Sequence, residues 1–277
     1  LAEKVLTATG VKVKASDRAG ADKGSAATEY LIFIANREVE QLADIAIAAF
    51  DEGKDPSKLK KEVAAVFHGK QAIDIACFGR MLADAPDLNT DASAQVAHAF
   101  SIDQITPEYD YFTAVDDCAS DDNAGAAMID TVGFNSSTLY RYATLNVDAL
   151  RDQLQDADAM VEGVSAFVEA FVKSMPSGKQ NTFANHTLPE DIVIVLRDSQ
   201  PISAADAFEN PIKRKDGISV SRQGIERLGD RLNEIRINYG EEPVKAWHVV
   251  SGGSVPVWMN GVNRLRCRSL SRACEKR

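Results

Sequence analysis

At 277 residues with 45% hydrophobic content, the chain can bury the core of one large domain or two modest ones. A net charge of -10 excludes whole-surface attraction to nucleic acid or anionic membrane, which needs an excess of Lys and Arg, and leaves room only for a local basic groove. The cysteines Cys77, Cys118, Cys267 and Cys274 show no C-x-x-C pairing and no histidine at metal spacing, so they read as reduced thiols in a cytoplasm, without structural zinc.

The chain opens on "LAEKVL", with neither an initiator methionine nor a basic-then-apolar leader, and reads as entered partway through. Residues 1–100 are Ala-rich and mostly helical in pattern. Over residues 29–50, Leu42, Ile45, Ala46 and Ala49 recur at helical spacing until Gly53 and Pro56 break it. A second helix is predicted over 57–67, with Ser57 as N-cap and Gly69 as its stop. "AIDIACFG", residues 72–79, is short and apolar between breakers and predicts a buried strand. "TDASAQVAHAFS", residues 90–101, reads as a helix with Val96, Ala97 and Phe100 on one face.

From Arg80 to Arg141 no Lys or Arg intervenes, while Asp84, Asp87, Asp91, Asp103, Glu108, Asp110, Asp116, Asp117, Asp121, Asp122 and Asp130 do. Inside that stretch "EYDYFTAV" is β-prone and "CASDDNAGAA" is a cluster of turn formers, which together predict two extended arms joined by a polar tip. "TLYRYATLN", residues 138–146, reads as a strand. Met160, Val161, Val164, Phe167, Val168, Phe171 and Val172 form one helical face that Pro176 and Gly178 terminate. "DIVIVL", residues 191–196, is a buried strand far shorter than a bilayer span. Residues 219–237 set Ile225, Leu228, Leu232 and Ile235 against Arg222, Arg227, Arg231 and Arg236, an amphipathic helix. The basic ending "RLRCRSLSRACEKR" has no clear apolar face and predicts no fixed structure.

Catalytic patterns are sparse. Asp116 and Asp117 are adjacent, so in a strand their side chains point to opposite faces and cannot share an ion without a bulge. His68, His98, His186 and His248 stand in unrelated contexts, and no H-E-x-x-H, G-x-S-x-G or phosphate-loop motif occurs. No cofactor is implied. Three adjacent bases, Lys213, Arg214 and Lys215, sit in a predicted loop where they can meet a phosphate backbone from several sides, with a merely solvated loop as the competing reading. Gly79, Arg80 and Met81 combine a glycine that permits close backbone approach with a thioether that can lie against a flat base.

Four ordered stretches carry a resemblance: "DIACFGRM" (74–81), "DYFTAVDD" (110–117), "FNSSTLYRYATLN" (134–146) and "PSGKQNTFANHTLPEDIVIV" (176–195). Over roughly residues 27–239 the chain resembles the backbone subunit of the type I-E CRISPR Cascade complex, the CasC or Cse-type family. The resemblance implies an α+β fold: an RRM-like, ferredoxin-like palm incomplete at its amino terminus, helical fingers, and a β-hairpin thumb. It assigns residues 1–100 to the fingers plus a palm strand near 72–80, 101–133 to the thumb, 134–248 to the palm and associated helices, and 249–277 to an atypical tail. The family's amino-terminal basic motif has no counterpart before Leu1.

The implied function is non-catalytic: copies polymerise along CRISPR RNA in the cytoplasm and display it for pairing with target DNA, a division of labour seen in other RNA-guided systems. Implied partners are CRISPR RNA, target DNA within the complex, other copies of the chain and other Cascade subunits, and no membrane. Carried onto this chain, Arg80 and Met81 lie beside the guide, with Met81 packing on a base. Tyr111, Phe112, Thr113, Ala114 and Val115 form a wedge between paired segments, and Lys213, Arg214 and Lys215 approach phosphates. A protein-protein scaffold fragment without RNA binding is the alternative.

Overall fold

The computed structural model describes residues 2–15, 26–115, 126–250 and 263–264. In chain order its elements are α1 (Ala2–Ala8), β1 (Val13–Ala15), β2 (Ala26–Thr28), α2 (Asn36–Asp51), α3 (Lys60–His68), α4 (Ile73–Phe78) and β3 (Ala94–Val96). There follow β4 (Phe100–Ser101), β5 (Glu108–Val115), β6 (Ala126–Phe134), β7 (Leu139–Tyr140), β8 (Ala143–Leu145), α5 (Val147–Leu154), α6 (Ala157–Lys173) and α7 (Gln180–Phe183). The last are β9 (Asp191–Leu196), α8 (Val220–Tyr239), β10 (Lys245–Val250) and β11 (Asn263–Arg264). This mixed α/β chain forms two compact units, whose described residues are 2–15, 26–96 and 143–186 in the first, and 97–115, 126–142, 187–250 and 263–264 in the second.

The first unit is mainly helical. One core gathers Val5, Ala8, Leu42, Ala46, Val63, Phe67, Leu82, Ala85 and Leu88, so the apolar spacing read in α2 does face inward. A second core gathers Ala76, Cys77, Ala94, Leu150 and Leu154, against which Met160, Val164 and Phe167 of α6 pack. α6 begins where Asp156 accepts from the backbone N–H groups of Asp158 and Ala159, both at 3.1 Å, satisfying donors that a helix start leaves open. The predicted second helix starts later than Ser57, because Asp55 caps a short turn over Pro56–Lys58 and α3 begins at Lys60.

Two expectations are corrected. Residues 73–78 are a helix and not a strand: the N–H of Ala76 donates to the Ala72 carbonyl and that of Gly79 to Ile75, both at 2.8 Å. Ile75, Ala76 and Cys77 are consecutively buried. An apolar run of this length carries no period by which helix and strand differ. Residues 90–101 are strands and not a helix: Ala94 and Val96 lie opposite Leu145 and Ala143, and Phe100 lies opposite Tyr140. Pairing with a distant partner overrides the helix preference of the alanines. That partner, "TLYRYATLN", is accordingly split into β7 and β8.

In the second unit, Ile102, Phe208 and Ile212 form a core that Phe100, Tyr140, Val220 and Leu228 complete. α8 starts at Ser219, whose Oγ accepts from the Arg222 N–H at 3.2 Å, and two of its arginines are committed to acids outside their own turn, Arg231 to Asp206 as well as Glu234 and Arg236 to Glu242. β9 and β10 pair antiparallel, with β11 parallel to β10, the largest sheet among the described residues. Buried His248 of β10 pairs with Asp191 of β9. The tip residues 116–125, with Asp116 and Asp117, lie outside the described residues, as does the tail apart from 249–250 and 263–264.

The first unit is held by a buried ion pair. Nη1 of Arg80 donates to both carboxylate oxygens of Glu38 at 2.8 Å, while its Nη2 reaches the Phe67 carbonyl at 3.3 Å. The guanidinium also stands 4.7 Å from the centroid of the Phe67 ring. The same Glu38 carboxylate accepts from the Ala35 N–H at 2.9 Å and so fixes the start of α2. Glu38→Ala strands the arginine charge in the core and should destabilise the chain by about 3–5 kcal/mol, read by chemical denaturation.

Gly79 makes the turn from α4 into this pair possible. Its φ is +77°, and a Cβ there would stand 2.8 Å from the Thr90 carbonyl oxygen and 3.0 Å from the Ala92 nitrogen. Gly79→Ala should therefore cost about 1–3 kcal/mol from backbone strain, with the close approach adding to it. Gly53→Ala, at φ +66° but in open space, should cost less. Equal losses in denaturation would show that the close approach does not matter.

Candidate nucleic-acid interface

The long hairpin of the second unit is largely exposed. β5 and β6 pair from Glu108↔Phe134 to Val115↔Ala126, with a register shift between Ala114 and Val115. Since side chains alternate along a strand and opposed residues share a side, Tyr109, Tyr111, Thr113, Ile129 and Thr131 occupy one face. Asp110, Phe112, Ala114, Met128 and Val132 occupy the other. Tyr109 is 72% exposed, Tyr111 64%, Ile129 59% and Met128 51%, and Phe112 is half-buried. Two strands with apolar groups on both faces and little beneath them are marginal alone, so the ribbon depends on its root.

That root is built from β4 and β7. The rings of Phe100 and Tyr140 lie 5.4 Å apart, and Tyr140 is the same distance from Phe208. Burial pushes the Tyr140 hydroxyl above the usual tyrosine range. The Ile102 N–H donates to the Thr138 carbonyl at 2.9 Å, and the Asp103 carboxylate accepts from the Thr138 N–H at 3.0 Å.

The basic loop starts from the same root. The N–H of Ile212, 1% exposed, donates to the Ile102 carbonyl at 2.8 Å, and the chain then turns outward. Lys213, Arg214 and Lys215 are all exposed. The loop closes through the Lys215↔Ile218 bridge around Gly217, whose φ is +75°. Arg214 places Nη2 3.8 Å from the buried Asp103 carboxylate.

Arg80 and Met81 belong to the first unit, and they part company there. The resemblance put Arg80 beside the guide, but its side chain is turned inward onto Glu38 with 0% exposure. Met81 follows it with 77% exposure, and Leu82 is buried again. An extended segment flanked by two inward side chains must present the one between them outward. Tyr30 and Leu31 line a small cleft with Met81.

The structure thus brings the hairpin and the basic loop into one unit and leaves Arg80 and Met81 in the other. Glu38 and Asp103 were not singled out from the sequence. Glu38 had a local signal, a carboxylate three residues after Ala35 at the start of an apolar-periodic run. Asp103 had none that reached past its neighbour Ser101, since Thr138 and Arg214 lie far along the chain. Among the described residues no group of three His, Cys, Asp or Glu side chains stands where it could hold a metal ion. None of the described helices is long and apolar enough to cross a membrane.

Comparison with curated proteins found no match. Among solved structures, a chain of a "CRISPR RNA-guided surveillance complex, pre-nicking" superposes with a TM-score of 0.81 at 27% identity, covering 98% of this chain and 76% of that one. A chain of a second "CRISPR RNA-guided surveillance complex" gives a TM-score of 0.65 at 32% identity, covering 73% of this chain and 76% of that one. The profile of the CT1975-like proteins matches residues 1–270, and the chain belongs to that family.

Proposed function

We propose that this chain is a non-catalytic, CRISPR-RNA-binding backbone subunit of a Cascade-type antiviral surveillance complex, working in the cytoplasm. Copies polymerise along the guide and display it to target DNA beside other Cascade subunits. β5 and β6 are the thumb of this reading, β9 and β10 with α5 to α8 part of an RRM-like palm and its associated helices, and α1 to α4 the fingers. The likeness to chains of CRISPR RNA-guided surveillance complexes supports it.

The observation that carries the reading is the two-faced ribbon rooted beside a basic loop. A ribbon with Tyr111 and Thr113 on one side and Phe112 and Ala114 on the other can meet a base on each flank, working by stacking and apolar contact. Lys213, Arg214 and Lys215 supply phosphate contacts that hold register without reading sequence. Met81 contributes an exposed thioether to a base, and Arg80 acts through its bond to Glu38, which fixes Met81 outward.

The deciding experiment is purification of the complex followed by analysis of bound nucleic acid. Short CRISPR RNA should copurify and be protected at regular intervals. An assembled complex free of RNA would leave a protein-protein scaffold as the function. Metal-dependent cleavage by the purified chain would remove the non-catalytic part of the reading.

Phe112→Ala should lower target-DNA binding by about 1–3 kcal/mol per stacked base, with the loss multiplied along the filament. Replacing Asp116 and Asp117 together by Asn should change binding little. A Phe112→Ala complex that binds normally, beside a double Asn variant that fails, would move the work of the hairpin from the ring to the carboxylates. Neutralising Lys213, Arg214 and Lys215 to Gln should weaken binding to every guide sequence alike. The salt dependence should become shallower by about 0.7 in log-log slope for each phosphate that is no longer neutralised. Loss confined to particular sequences would mean that the loop reads bases.

A further inference from the structure

We propose that Asp103 is a positioning residue for RNA binding, setting where Arg214 stands relative to the hairpin. The proposal rests on the RNA-binding reading above. Among the described acidic residues between Arg80 and Arg141, Asp103 alone is buried, at 5% exposure. A carboxylate out of water must be paired and hydrogen-bonded. Its two oxygens divide that need. Oδ1 accepts from the Thr138 N–H at 3.0 Å and faces the Ser101 hydroxyl at 3.1 Å, both in the hairpin root. Oδ2 faces the Arg214 guanidinium at 3.8 Å, the one cation within 4 Å of it among the described residues.

The backbone repeats the link. Asp103 bridges Ile212 in parallel, two residues before Arg214, and the Ile212 N–H donates to the neighbouring Ile102 carbonyl. One residue therefore fixes both the base of the ribbon and the origin of the loop. Arg214 itself is 77% exposed and has room to reach many phosphates; the fixed charge beneath it biases it to the one beside the hairpin. A lysine in its place would carry the charge without the planar fork or its reach.

The test is a double-mutant cycle on the intact protein, read by binding of a mixed-sequence single-stranded RNA at fixed salt. Asp103→Asn keeps the shape and an Oδ1 acceptor for Thr138 while replacing the charged oxygen that faces Arg214 with an uncharged N–H donor. If Asp103 works through Arg214, Asp103→Asn and Arg214→Gln each weaken binding by about fivefold, the scale of a partly exposed ion pair. The double variant is then no weaker than either single one, while the loss from Lys213→Gln adds to both. Additive losses for Asp103→Asn and Arg214→Gln overturn the proposal, as does an Asp103→Asn protein that binds as tightly as the wild type or more so. Should Asp103→Asn melt below the assay temperature, Arg214→Lys decides: positioning requires it to bind as poorly as Arg214→Gln, and wild-type binding overturns the proposal. A wild-type protein that fails to bind RNA even in its complex sinks the underlying reading, a result distinct from normal binding with an intact Asp103→Asn variant.

Discussion

A charge removed from water must find its opposite, and each unit of this protein is organised around a carboxylate that obeys that constraint. Glu38 is at once the partner of Arg80 and the acceptor for the N–H of Ala35, the residue just before α2. The helix start, the arginine and the ring of Phe67 beneath it are therefore fixed together. Such a pair adds little net stability over a hydrophobic replacement, because desolvation offsets the attraction. What it adds is geometry: with Arg80 held inward and Leu82 buried, the intervening Met81 has nowhere to go but outward.

The second unit uses the same device for a different purpose. A two-stranded ribbon cannot bury both of its faces, and the exposed Tyr109, Tyr111, Met128 and Ile129 are the consequence. Stability is moved to the root, where Phe100, Tyr140, Phe208 and Ile102 pack and Asp103 ties the two arms together. The exposed ribbon is then free to meet a ligand instead of a core. In the proposed RNA-binding role, an apolar blade bounded by carboxylates, with the cations kept on a separate loop, would separate stacking from phosphate attraction.

The sequence alone determined the elements whose signal is local. Two β-prone arms around a cluster of turn formers specify a hairpin wherever they occur, and β5 and β6 are that hairpin. The apolar stripe from Met160 to Val172 specifies α6, and the alternation of apolar residues and arginines specifies α8. The basic loop was legible as three adjacent charges. The segment at 72–79 was legible only as buried, because six apolar-rich residues satisfy a helix and a strand equally.

Tertiary structure decided the rest, and the reason is separation along the chain. Arg80 and Glu38 are 42 residues apart, and Asp103 and Thr138 are 35 apart, so no periodicity links one to the other. Read locally, Arg80 is a cation next to a methionine, and Asp103 is one more acid in an acidic stretch. Folding converts the first into an internal tie and the second into the anchor of a loop. Composition and spacing set which side chains are present; the cost of leaving a buried charge unpaired set which of them turn inward and which remain exposed.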